Sequence, residues 1–410
     1  MAVYPENVRP DNVRPDNVYL DHAATTTMLP AAISAYAEAM TVVGNPASIH
    51  SQGQNAKRML EEAREVVARS VGSDPIEVVF TGGGTEAINL AVKGLFWARA
   101  PRTRILAPGG EHHATLDTIE WLEHHEGAVV EWLPLDDLGR VDVAVLERAI
   151  AANPDDVALV TLLAANNEVG TLQPIREVAA LAAAHGIPVH VDAVSAYGHV
   201  PIDFAALSRT GASALSVSAH KIGGPVGIGA LVLSRRATVV PLIHGGGQQR
   251  QVRSGTQDVA AAVSFAVAAS AAVAELPGEG VRLAALRDRV IAGVRAAVPE
   301  AVLNGDPDPA GRLPGNAHFT FPGCEGDSLL FLLDVAGVSV STGSACQAGI
   351  PEPSHVLRAM GRSETEARGA LRITLGRTST DADVDAFLAA LPAAYAQAAR
   401  AGLADREPAR

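Results

Sequence analysis

The run Val78-Val79-Phe80-Thr81-Gly82-Gly83-Gly84-Thr85-Glu86 carries an apolar strand into three glycines and then into a helical pattern. Glycines let a backbone close on an anion, and a helix start offers free N–H groups and a positive dipole end. The run lacks the lysine of a nucleotide P-loop and the spacing of the dinucleotide fingerprint. Taken alone it reads as a phosphate cradle or as a plain tight turn.

Outward from this run the same alternation repeats. Strands are predicted over Ile76–Phe80, Arg104–Ala107, Val129–Leu133, Val157–Leu163, Pro188–Val191, Ala214–Ser218 and Gly229–Leu233. Helical patterns lie between them, over Asn55–Ser70, Glu86–Ala98, Ala114–His124, Val143–Ala152 and Arg176–His185. Strands alternating with helices predict an α/β fold, a mostly parallel sheet covered on both faces. From about Gly278 the pattern becomes a mixture of strands and helices, beginning with a helix over Val281–Ala297. A domain boundary is predicted near Leu276. At the front, Asn7-Val8-Arg9-Pro10-Asp11 is repeated as Asn12-Val13-Arg14-Pro15-Asp16. Polar, Pro-punctuated and too short to bury a core, this stretch is expected to be disordered.

With 410 residues, 48% of them hydrophobic, the chain is long enough for two packed domains. A formal charge of −13 without a basic block excludes a broad nucleic-acid face. Two cysteines, Cys324 and Cys346, are too few for a disulfide framework and fit a reduced cytoplasm. No secretory signal pattern opens the chain. Val259–Leu276 is apolar but Ala-rich, carries Ser264 and Ser270, and lies between Asp258 and Glu275. It is read as a buried helix rather than a membrane span. The histidines pair as His112-His113 and His124-His125, not at the i, i+4 spacing of a zinc helix, so no metal site is expected.

Three further segments carry chemistry. Ser216-Val217-Ser218-Ala219-His220-Lys221-Ile222-Gly223-Gly224-Pro225 ends a strand in small polar residues and presents one lysine ahead of a glycine turn. Such a lysine can form a Schiff base while its neighbours grip a phosphate, or it is a surface lysine on a loop. Pro188-Val189-His190-Val191-Asp192-Ala193 puts an acid at a buried strand end. That is costly unless it is paired, either with a protonated pyridine nitrogen or as the cap of the next helix. Ser339-Val340-Ser341-Thr342-Gly343-Ser344-Ala345-Cys346-Gln347-Ala348-Gly349 sets one thiol among small residues, as a reactive thiol or an ordinary loop cysteine requires. Cys324, beside Glu325, is read as structural.

In this order, and together with Tyr19-Leu20-Asp21-His22-Ala23-Ala24-Thr25-Thr26, Gly44-Asn45-Pro46-Ala47-Ser48, Glu111-His112-His113-Ala114, Asn166-Asn167-Glu168-Val169-Gly170, His244-Gly245-Gly246-Gly247-Gln248, Arg253-Ser254-Gly255-Thr256 and Leu371-Arg372-Ile373, the segments resemble the cysteine desulfurases of pyridoxal-phosphate fold type I, in the class-V aminotransferase family. The similarity is to the housekeeping branch that serves iron–sulfur cluster assembly. It implies a large domain (30–276) with a mostly parallel seven-stranded sheet sandwiched by helices. A smaller α+β domain would combine 19–29 with 277–403, leaving tails over 1–18 and 404–410.

The resemblance also implies pyridoxal 5'-phosphate on Lys221. Gly84, Thr85, Ser218 and His220 would hold the phosphate, Asp192 the pyridine nitrogen, and Asn167 the 3-hydroxyl side and the substrate. His112 would stack on the ring and assist proton transfer. Arg372, with Asn45 alongside, would bind the carboxylate of L-cysteine. Thr256 would reach the cofactor phosphate of a neighbouring subunit, making the protein a homodimer. Cys346 would take the sulfur as a persulfide, leave L-alanine, and pass the sulfur to an acceptor protein. In one respect the chain departs from the family. Ser195 stands where a glutamine usually donates to the 3-hydroxyl, and the shorter side chain needs a water to reach it. Selenocysteine lyase, an aminotransferase of the same fold type, and a non-catalytic sulfur-relay scaffold are the alternative readings.

Overall fold

The computed structural model describes residues 17–343 and 352–404, with side chains up to residue 400. Cys346 and the pentad repeat therefore lie outside the described residues. The chain begins with β1 (Val18–Tyr19), α1 (Pro30–Ala39), α2 (Ser51–Ser70), β2 (Val78–Thr81), α3 (Gly84–Ala98), β3 (Arg104–Pro108), α4 (His113–Glu126) and β4 (Val129–Leu133). It continues through α5 (Val143–Ala152), β5 (Val157–Leu163), α6 (Ile175–Ala183), β6 (Val189–Asp192), α7 (Phe204–Thr210), β7 (Ala212–Ser218), β8 (Gly229–Leu233) and α8 (Val259–Ala297). The remainder is β9 (Val302–Asn304), β10 (Asn316–Thr320), α9 (Gly326–Val335), β11 (Val338–Ser339), α10 (His355–Ala359), α11 (Glu364–Arg368), β12 (Ala370–Thr374) and α12 (Asp381–Ala404).

Seven strands form the main sheet in the order β2-β8-β7-β6-β5-β3-β4. Only β8 runs against its neighbours, pairing antiparallel with both β2 and β7. Every residue of β5, β6 and β8 is buried, as continuous apolar strands covered on both faces require. One apolar cluster packs Phe265, Tyr197 and Phe204 against the sheet, and another gathers Leu95, Phe96 and Ile119 from α3 and α4. A separate three-stranded antiparallel sheet, β12-β10-β9, shares its own core of Phe319, Phe321, Leu371 and Phe387. The α/β sandwich with a second, smaller α+β part agrees with the sequence reading.

Three details depart from it. Strand β2 starts at Val78 rather than Ile76, because Asp74 and Glu77 form a capping box around a short 3-10 turn, Pro75–Glu77. Val259–Leu276 and Val281–Ala297, read as separate helices, are one 39-residue helix with Pro277 inside it. Asp258 caps its start by accepting from Ala261 N–H at 2.9 Å. Pro277 removes only the bond to the carbonyl of Val273, an exposed residue whose carbonyl water can serve. Before Pro277 the helix packs on the main sheet through Phe265, Ala268 and Ala272. After it, Leu283, Leu286 and Val290 join the second core. The helix is long and apolar enough to cross a bilayer, yet one face of its first half is buried in the core through Phe265, Ala268 and Ala269. Val18, assigned to the tail from sequence, pairs with Val338 in a short parallel ladder that ties the front of the chain to the second part.

Candidate active site

Strand order reverses at β3, which has β4 on one side and β5 on the other. Crevices outside the carboxyl ends of strands near such a reversal are where open α/β sheets bind ligands. A cavity of about 330 Å³ opens there. The last residues of β2, β3, β5, β6 and β7 and those just past them supply Gly84 and Thr85, His112, Asn167, Asp192 and Ser195, and Ser218, His220 and Lys221, all of which line it. Arg372 of β12, Asp21 and Ser341 close the opposite side.

At the glycine turn, Gly83 has φ 142°, a conformation that favours glycine, and Gly84 opens α3. A Cβ on Gly84 would lie 2.8 Å from Val194 Cγ2, so the backbone there is packed too closely for any side chain. The first N–H groups of α3 have no partner within the helix and sit beside Thr85 and Ser218. That set of donors suits an anion. His220, whose Nδ1 is 3.1 Å from Thr25 Oγ1, stands next to it and is pushed down to about 4 by burial and then by Lys221.

Lys221 Nζ donates to the carbonyls of Ala23 and of Ala24, the latter at 2.8 Å. The chain has three lysines, and Lys57 and Lys93 are not part of the cavity. Lys93 lies over the Trp121 ring at 4.2 Å. Asp192 is 1% exposed, and its Oδ1 accepts from Val194 N–H at 2.9 Å. Burial pushes its carboxyl up to about 6, opposed by that N–H and by the charge of Lys221. A carboxyl so placed is stabilised in its charged form by a cation in the cavity. Glu111, 2% exposed, receives Leu163 N–H at 3.0 Å and is pushed well above the usual carboxylate range by burial, with Asp192 adding to the effect.

His112 caps α4, its Nδ1 accepting from Ala114 N–H at 3.0 Å. Burial, then Lys221, pushes the ring down to about 4. The ring is therefore neutral near pH 7, and because Nδ1 is an acceptor its proton sits on Nε2. Asn167 Oδ1 is buried with no hydrogen-bond partner among the described residues. Arg372 gives Nη1 to the carbonyl of Asn167 and Nη2 to Asp21 Oδ1, both at 2.8 Å, while its buried Nε has no acceptor among the described residues.

Two expected members do not line this cavity. Asn45 is exposed and its Oδ1 accepts from Ala47 N–H at 2.9 Å, capping its own turn. Thr256 is exposed at the end of the loop before α8. Gly343, three residues before Cys346, lines the cavity. Cys324 is 2% exposed, and burial with Glu300 and Glu325 pushes its thiol up to about 11, so it is a poor source of thiolate. Asp21, Ser341 and Glu111 belong to the site or its support but had no role in the sequence reading. The motif around Asp21 was visible, but not its ion pair.

Residues 18–387 match the aminotransferase class-V family. An IscS-like cysteine desulfurase of Mycobacterium tuberculosis is 55% identical over 390 residues, covering 94% of this chain and 98% of that protein. The chain belongs to the cysteine desulfurases of the class-V aminotransferase family. The cysteine desulfurase NifS of Azotobacter vinelandii is 40% identical over 381 residues, 92% of each chain. Among solved structures, a NifS-like protein superposes with a TM-score of 0.83 at 34% identity, covering 93% of this chain and all of that one. SspA in complex with cysteine superposes with a TM-score of 0.73 at 32% identity, covering 87% and 98%. A cysteine desulfurase is thus similar to this chain along nearly its whole length, sheet and second core included.

Proposed function

We propose that this desulfurase holds pyridoxal 5'-phosphate at Lys221, takes sulfur from L-cysteine onto Cys346 as a persulfide, releases L-alanine, and passes the sulfur to an acceptor. The observation that carries the reading is the convergence, in one cavity, of Lys221, the buried Asp192, the helix start at Gly84–Thr85 and Arg372. The donor set suits the cofactor. Asp192 would meet the pyridine nitrogen, and Gly84, Thr85, Ser218 and His220 the phosphate. Asn167 Oδ1, an acceptor without a donor, is available to the 3-hydroxyl side, with Ser195 nearby.

When bound, the cofactor supplies an electron sink for negative charge at the substrate's α-carbon. The chain does the rest. Asp192 keeps the ring nitrogen protonated and so keeps the sink deep. Lys221 Nζ would hold the cofactor and, when not bonded to it, would serve as the base for the substrate's α-proton. His112 would stand against the cofactor and offer Nε2–H as a proton donor. Arg372 takes the substrate carboxylate with its fork, in exchange for Asp21. The Cys346 thiolate attacks the substrate sulfur. The carbon–sulfur bond breaks, the S–S bond forms, and protonation at the β-carbon completes alanine, so that cysteine and a thiol become alanine and a persulfide.

Several further points belong to the same proposal. The protein works as a homodimer in which Thr256 reaches the neighbouring subunit's cofactor phosphate, with 30–276 as the large domain and 19–29 with 277–403 as the small one. It acts in the cytoplasm. The acceptor is a component of iron–sulfur cluster assembly or of tRNA or other thiolation. Replacing Cys346 with Ala tests the sulfur step. The variant should stay yellow and bind cysteine while sulfide formation falls by about a thousandfold. Sulfide release within threefold of wild type contradicts the assignment.

A further inference from the structure

We propose that Arg253 is a positioning residue of the phosphate site, acting by cancelling the charge of Glu86. This rests on the cofactor reading above. Glu86 lies in the first turn of α3. A carboxylate there ordinarily gains from the helix dipole. This helix start, however, faces the cavity through Gly84 and Thr85, where the cofactor phosphate is to sit. Two anions then share one helix start, and their repulsion falls on the ligand.

Arg253 answers that repulsion. Its Nε donates to Glu86 Oε1 at 2.8 Å and its Nη2 to Glu86 Oε2 at 3.3 Å. Both side chains are largely shielded, 22% and 23% exposed. Glu86 Oε2 also accepts from Gly82 N–H at 2.7 Å, so the carboxylate braces the glycine turn and cannot simply be turned away. Arg253 is held in place by its own loop. Gln249 Oε1 accepts from Phe80 N–H at 2.7 Å and Gln249 Nε2 donates to the Phe80 carbonyl at 2.8 Å, so its amide pairs with edge strand β2 as a peptide group would. Gln249, Arg250 and Gln251 all take positive φ, 50°, 59° and 63°, a conformation that non-glycine residues adopt in succession only when the surroundings specify it. The loop ending at Thr256 is thereby fastened to this chain's own phosphate cradle.

The test is titration of the cofactor-free protein with pyridoxal phosphate, followed by visible absorption. Arg253→Ala should weaken binding roughly tenfold, and Glu86→Gln should leave it equal or tighter. The double variant Glu86→Gln/Arg253→Ala should return to within about threefold of wild type, and Arg253→Lys, which keeps the charge but not the fork, should also stay within about threefold. If the ion pair were only a brace, Glu86→Gln and Arg253→Ala would weaken binding alike, and the proposal would be overturned. Unchanged binding by Arg253→Ala also overturns it. Wild-type protein that takes up no pyridoxal phosphate overturns the cofactor reading, and this inference with it.

Discussion

The two walls of the cavity are built differently. The wall along the sheet takes each group from the end of its own strand: Gly84 after β2, Asp192 at the end of β6, Ser218 at the end of β7 and Lys221 one turn later. The facing wall is assembled from far apart. Arg372 is held by Asp21, 351 residues away, and by the carbonyl of Asn167, 205 residues away. The first wall is set by the backbone and waits for a cation and an anion. The second holds a carboxylate already, Asp21, where in the proposed function a substrate carboxylate would go. Under the proposed function the cofactor end of the site would be preformed, and the substrate end would exchange one carboxylate for another.

Changes on the sheet wall should be the most damaging. Asp192→Asn should lower the rate of alanine formation at least about a hundredfold, the scale of losing some 3 kcal/mol of charge stabilisation in a buried site. A fall below fivefold would break the contrast between the walls. The same residue predicts how the cofactor-free protein responds to pH. Burial raises the Asp192 carboxyl from 3.8 to about 6. Below pH 3.8 folded and unfolded chains both hold the proton. Above it the unfolded chain ionises first, so stability falls as pH rises through about 6 and then levels. The drop should be about 2–3 kcal/mol. Glu111 acts in the same direction, so the difference between wild type and Asp192→Asn in urea melts from pH 4 to 7 isolates the Asp192 share. Loading the cofactor should flatten the dependence, since a pyridinium favours the carboxylate.

On the facing wall effects should be smaller and should appear in KM. Arg372→Lys keeps the charge and loses the fork, and should raise KM for cysteine about ten- to thirtyfold with kcat changed less than fivefold. Asp21→Asn should separate stability from binding. It leaves the buried guanidinium without its carboxylate and should cost the cofactor-free protein about 1–3 kcal/mol. It should also lower KM about threefold, because a competitor for Arg372 is gone. If stability and KM both worsen, Asp21 orients Arg372 rather than occupying its place.

Legibility in the sequence follows the same division. Lys221, Asp192, Gly84 and Ser218 could be read because each sits in a local pattern, an apolar strand followed by small or polar residues, and local patterns carry their geometry with them. The Asp21–Arg372 pair could not be, since nothing in either neighbourhood records a partner hundreds of residues away. The continuity of α8 was hidden because Pro277 ordinarily ends a helix, and only tertiary packing on two cores overrides that preference. The role of Glu86 was invisible for the same reason as Asp21, since its partner Arg253 arrives from a loop with unusual backbone angles. Asn45 and Thr256, carried over from the resemblance, are exposed and do not line this chain's own cavity.

One lysine, beside Asp192 and the glycine turn, has to bear the cofactor if this site is to work as proposed. Three lysines make the test sharp: incubate the protein with pyridoxal phosphate, reduce with borohydride, digest, and find the modified peptide by mass spectrometry. The predicted result is a single stoichiometric adduct on Lys221. An adduct on Lys57 or Lys93 instead, or none on any lysine, would contradict it.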